Sequence, residues 1–137
     1  MTLPPYSAWY VRWAPVLGRI LFGLLFLMGA AFKIPGTAGF AAEAGMTAAA
    51  GVPFATVAVA LAFLVEVVCG LAVILGWHAR SAALVLAVFT LALALIFYND
   101  FSNPEIMGMF ISHLGLIAGL LYVSVYGARQ VAVSKDY

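Results

Sequence analysis

An apolar stretch from Phe63 to Gly76 carries a carboxylate, Glu66, in its middle. No other feature constrains the chain as strongly. An ionisable side chain inside a membrane span costs roughly 2.5–3.5 kcal/mol on insertion scales unless it faces protein or a partner. Glu66 must therefore have partners, and one helical turn to either side its face carries Ala62 and Gly70, small residues that let a neighbouring backbone come close. The acid is expected to point at protein and away from lipid.

Such a stretch makes sense only in a membrane. Of 137 residues, 66% are hydrophobic and 8% charged, far from the balance of a soluble domain, and the length suits one domain covering residues 1–137. A formal net charge of +1, with no clustered basic stripe, argues against nucleic acid. The single cysteine, Cys69, excludes an intramolecular disulfide, a CxxC dithiol and a thiolate cluster, and reads as a small packing residue.

Four spans are predicted, over about 12–31, 53–75, 79–98 and 105–126, each near the 20 residues needed to cross a 30 Å core. Met1 to Val11, with Pro4, Pro5, Tyr6, Trp9 and Tyr10, reads as an interfacial lead-in. The apolar run from Leu17 to Phe32 ends in Gly29-Ala30-Ala31 and imitates a secretory signal, but Arg19 interrupts it and Pro4-Pro5 replace a basic n-region, so the first helix is expected to be retained. Thr37 to Gly51 lacks the bulk to span and is expected to be a loop with a short surface helix over Phe40 to Ala50. Pro53 suits the first turn of the second span. Residues 76–80 form a tight turn, and Asn99 to Glu105 a polar loop.

The third span has no ionisable group after Arg80 and is expected to be the most lipid-exposed. The fourth holds His113 near its centre, with Gly108, Gly115, Gly119 and Tyr126 on the opposite stripe. That stripe predicts close packing of the fourth span, within the bundle or against a second copy or another membrane protein. The fold expected is an all-α, antiparallel up-down four-helix bundle. Arg12, Arg80, Arg129 and Lys135 fall on one side, and Lys33 with Glu43, Asp100 and Glu105 on the other, which places both termini in the cytoplasm.

Within this frame Arg19 is about 10 Å and Glu66 about 13 Å from the cytoplasmic ends of their helices, and His113 about 20 Å. Arg19 and Glu66 are expected to form an ion pair, with His113 and Lys33 continuing a polar track toward the outer face. Two readings of this group stay open: a structural pin that fixes helix register, or a pocket for a polar headgroup, such as a quinone or small anion, or a proton relay.

The chain resembles the DoxX family of small four-helix bacterial membrane proteins. The resemblance is carried by Arg19 to Phe26, Gly29 to Ile34, Gly51-Val52-Pro53, Glu66 to Gly76 closing with Arg80, and Phe110 to Leu121. It implies recurring polar positions at Arg19, Lys33, Glu66 and Arg80. Phe97-Tyr98 stands where many members have a histidine after the phenylalanine ending the third helix, and His113 where the fourth helix often has an asparagine. The family takes its name from a subunit linked to thiosulfate oxidation and quinone reduction, and other members are implicated in oxidative-stress complexes. The resemblance thus implies an inner-membrane accessory subunit of a redox system, with quinone as the candidate cofactor and nothing covalently bound.

An enzyme acting alone is not expected. There is no Gly-rich dinucleotide loop, no Glu-x-x-His pattern and no nucleophile with a paired base, and His78 in a turn cannot share a haem with His113 at mid-membrane. Any activity would belong to a quinone-linked oxidoreductase complex. The alternative is a small homo-oligomeric transporter or proton conductor. A pocket open sideways to lipid favours the first, and a hydrated path between the two faces the second.

Overall fold

The computed structural model describes residues 5–128 and 132–133. Met1 to Pro4, and the tail bearing Arg129 and Lys135, lie outside the described residues. The chain forms five helices, α1 (Pro5–Ala31), α2 (Ala38–Ala49), α3 (Ala55–Leu75), α4 (Ala79–Phe97) and α5 (Pro104–Tyr126), with no strand among the described residues. All but α2 are long and apolar enough to cross a membrane.

The helix boundaries follow local chemistry. Pro5 opens α1, where a missing N–H costs nothing, and the helix then runs for 27 residues, about 40 Å at 1.5 Å per residue. It absorbs the expected lead-in from Pro5 onward and includes Pro15. Thr37 caps α2 by accepting the Phe40 amide at 3.3 Å, and its hydroxyl donates to the Ile34 carbonyl at 2.7 Å. The short helix over the first loop thus exists, starting two residues earlier than expected. Pro53 lies just before α3, whose N-cap is Phe54 in the left-handed region at φ 52°. Gly76, at φ 71°, ends α3 and the Trp77 amide returns to the Ala72 carbonyl at 2.9 Å, a closing turn that needs a left-handed residue. Asn103 caps α5 by accepting the Glu105 amide at 3.0 Å, ahead of Pro104.

Packing runs from α1 to α3, α3 to α4 and α4 to α5, with α2 laid on α3. The α1–α3 seam is set by glycine: a methyl on Gly70 would lie 3.2 Å from the Gly23 carbonyl oxygen, tighter than ordinary contact. The core gathers Phe26, Ala72, Val73, Ala82, Ala83, Leu86, Ala87 and Leu120.

The expectation that the third span is the most lipid-exposed is overturned. That span is α4, the most enclosed of the four, while α5 is the least. Its buried face is Ala79, Ala82, Ala83, Leu86, Ala87, Thr90 and Ala94, a ladder at helical spacing that lets α3 and α5 approach on both sides. In lipid, where tails are as apolar as leucine, small size marks an interior face better than polarity does. The Thr90 hydroxyl is satisfied within the helix by the Leu86 carbonyl at 2.7 Å.

The glycine stripe of α5 behaves differently from the expectation as well. Gly108 and Gly115 face open space within the protomer, and only Gly119 is a close approach, with the Phe22 ring of α1 set against it. Large apolar side chains such as Leu17, Leu21, Val57, Leu64, Val88 and Ile111 cover the outside, the surface a lipid bilayer requires.

Candidate functional site: a buried ion pair and a basic cleft

Glu66 is 3% exposed, facing protein as its cost demands. Its partner is Lys33. The ammonium lies 2.9 Å from one carboxylate oxygen and 3.0 Å from the other, and 3.4 Å from the Gly29 carbonyl. Lys33 sits in the turn after α1, its amide on the Ala30 carbonyl at 2.9 Å, and reaches back one helical turn to the pair. Gly29 brings the α1 backbone against the carboxylate: a methyl there would lie 3.4 Å from the nearer oxygen.

The expected Arg19–Glu66 pair is thereby corrected. Contacts between α1 and α3 run from Gly29 at Glu66, through Gly23 at Gly70, to Arg19 at Gly76. The expectation placed Arg12 at the level where α3 ends. Because α1 begins at Pro5 and overhangs, Arg19 holds that level instead, a slip of seven residues or about 10 Å. Arg19 belongs to the end of the bundle and Glu66 to its interior.

Arg19 is 2% exposed and forms part of the wall of a cleft of about 550 Å³ between α1 and α5. Arg12, Gly18 and Phe22 line it from α1, and Gly119, Tyr122 and Tyr126 from α5. The Tyr122 and Tyr126 rings lie 4.4 Å apart between centroids, and the Arg12 guanidinium stands 5.7 Å from the centre of the Trp13 ring. Arg80 packs at Gly127, the residue that closes α5 and borders the same cleft.

His113 lies elsewhere again. Its Nδ1 is 2.8 Å from the Met109 carbonyl, so Nδ1 carries the proton, and its ring meets Tyr98 at a centroid distance of 4.7 Å. The four residues expected to share one pocket thus occupy three places: Lys33 with Glu66, Arg19 in the cleft, and His113 with Tyr98. Sequence reasoning missed Arg12, Phe22 and Tyr122 as cleft residues. A signal was present in the seven-residue spacing of Arg12 and Arg19 and the four-residue spacing of Tyr122 and Tyr126, each of which keeps its pair on one helix face. Outside the spans, Asp100 accepts from the Ser102 hydroxyl and, at 3.1 Å, from its amide; these bonds hold its carboxyl below the usual range and brace the α4–α5 loop.

The DoxX family model matches residues 14–99, well over half of the chain. The chain belongs to the DoxX family. It is similar to the inner membrane protein YqjF of Escherichia coli (strain K12), with 31% identity over 120 residues and 88% of each chain covered. No solved structure matches it. This DoxX protein is a small multi-pass protein of the bacterial inner membrane. The matched segment takes in Arg19, Lys33, Glu66 and Arg80 but ends before α5, so one wall of the cleft lies beyond it.

Proposed function

We propose that this DoxX protein is an accessory subunit of a membrane redox system that holds the polar headgroup of a quinone or small anion in the α1/α5 cleft. The observation that carries the reading is a cleft lined, among the described residues, by α1 and by α5 with its closing Gly127, with Phe22 set against Gly119 and a buried arginine in its wall. A gap between two lipid-facing helices admits an amphiphile from the side. The conduit alternative, a homo-oligomeric transporter or proton path, has less support, because the polar groups fall in separate places and Lys33 already engages both oxygens of Glu66. Lys33–Glu66 is read as the register pin, and Arg19 as the binding group.

The reading also includes a single domain over the whole chain and an antiparallel, up-down arrangement with both termini cytoplasmic, since Arg12, Arg19 and Arg80 gather at the end where α3 closes. The open glycines of α5 would admit a partner helix, from a redox subunit or a second copy. Extraction from native membranes, with identification of the co-purifying proteins and small molecules, tests the proposal. A quinone-linked oxidoreductase is expected among the proteins, together with a small molecule that Arg19→Gln fails to retain. Recovery of the chain without any redox partner would overturn the accessory role.

A further inference from the structure

We infer that α1 and α2 together make one broken crossing of the bilayer, with α2 sunk among the acyl chains of the leaflet away from the basic end. The inference is independent of what the cleft holds and comes from the depth at which α1 stops. Gly29 meets Glu66, and α1 ends at Ala31, about 3 Å further on, whereas Glu66 lies about 16 Å inside α3. Alongside α3, which is about 31 Å long, α1 runs only from Arg19 at Gly76 to Ala31, about 18 Å. The first 13 Å or so of α3 therefore has no α1 beside it. The place is taken by α2, which packs on α3. A methyl on its Gly39 would strike the Phe32 carbonyl, so α2 starts against the end of α1, and after α2 the Val52 amide returns to the Thr47 carbonyl at 3.2 Å and the chain turns into α3. Moving the bilayer toward the basic end, so that α1 crossed it alone, would sink the Trp77-His78 turn and Arg80 in hydrocarbon and lift the exposed Val57, Leu61, Leu95 and Ile96 into water.

For a helix resting on a water surface, α2 is inside out. Its one ionisable residue, Glu43, is half-buried and close enough for its charge to act on Glu66, and its one hydroxyl, on Thr47, is buried. The exposed side is Ala41, Ala42, Gly45, Met46, Ala48 and Ala49, without charge or hydroxyl. Ionisable groups turned toward protein and apolar groups turned out are the arrangement of a segment in lipid. Exposed Phe32, Ile34 and Phe54 flank α2 and continue the lipid-facing surface of α3 at Val57 and Leu61. Non-helical backbone at that depth has to satisfy its own polar groups. At the break, the Phe32 and Lys33 amides donate to the Gly29 and Ala30 carbonyls at 3.3 and 2.9 Å, and Pro35 has no N–H. The Ile34 carbonyl accepts from both the amide and the hydroxyl of Thr37, at 3.2 and 2.7 Å. The Lys33 ammonium is held by Glu66 and turned from the chains.

Single cysteines in the full chain, in a Cys69→Ala background, read the depth directly. Ile34→Cys at the break and Ala42→Cys on α2 are compared with Leu64→Cys, on α3 at the level where α1 stops, and Ser102→Cys, in the α4–α5 loop; all four positions are exposed. The protein is reconstituted in phosphatidylcholine vesicles, and a charged maleimide is supplied on both sides. Ile34→Cys and Ala42→Cys are expected to react as slowly as Leu64→Cys, roughly a hundred-fold slower than Ser102→Cys, the suppression an ionised group suffers on entering lipid. A fluorophore attached at the same cysteines through a neutral, membrane-permeant maleimide should be quenched by brominated acyl chains. Ala41→Cys, on the same exposed side, replaces Ala42→Cys if that variant lowers the thermal midpoint. Reaction at α2 as fast as at Ser102→Cys would return α2 to the aqueous surface and overturn the inference. Slow reaction without quenching would mean that a second copy covers α2 in place of lipid, and would overturn it as well.

Discussion

The contrast between Gly23 and Gly18 shows how much one hydrogen atom decides in this chain. Both lie on α1, but a methyl on Gly23 would lie 2.5 Å from the Gly70 carbonyl oxygen and against Ile74, while one on Gly18 would enter open space. The Gly70 carbonyl is helix backbone and cannot swing aside, so α1 and α3 would have to separate along their whole seam. Overpacking of this kind costs roughly 1–3 kcal/mol. Gly23→Ala is accordingly expected to lower the thermal midpoint in detergent, and Gly18→Ala to leave it unchanged or raise it slightly through better helix propensity. Equal effects at the two positions would contradict the close seam. Glu66 was legible from sequence at this scale, because an acid in an apolar run has to be enclosed. The identity of its partner was not, since Arg19 and Lys33, in the turn after α1, share one face of the helical pattern and only the overhang of α1 decides between them.

At the scale of elements, the four spans and the short α2 could be read from apolar run length, a capping threonine and turn residues. The ranking of the spans by exposure could not. A lack of charge in α4 does not mean exposure to lipid: its alanine ladder, small residues every three or four positions in the sequence, makes it the central helix. Ala83, fully buried, and Val88, 62% exposed, give the comparison. Ala83→Leu is expected to destabilise the protein by roughly 1–3 kcal/mol, and Val88→Leu by little, in thermal or denaturant melts. On α5 the glycine stripe is not one packing surface: it divides into Gly119 against Phe22 and the open Gly108 and Gly115. Gly115→Leu should therefore leave the stability of the single chain intact and alter oligomer size, measured by light scattering, only where a second helix docks there. A large loss of stability would mean that Gly115 is packed within the protomer.

In the molecule as a whole, the polar residues divide between the Lys33–Glu66 pair in the interior and a basic cleft at one end. The proposed orientation rests on the basic residues at that end. Fusions of a reporter active only in the cytoplasm should signal from Tyr137 and stay silent from the Asn99 to Pro104 loop, and the reverse pattern would invert the assignment. The division itself makes Lys33 and Glu66 a structural unit, and a double-mutant cycle with Lys33→Met, Glu66→Leu and their combination measures it most directly. Removing one partner strands a buried charge and is expected to cost roughly 3–5 kcal/mol, while the double replacement by apolar side chains should come back near wild-type stability. Bound small molecules recovered with the double variant should match those of the wild type. Additive losses in stability, or loss of those molecules on repairing the pin with apolar residues, would show that Lys33 and Glu66 are not the separate structural pair described here.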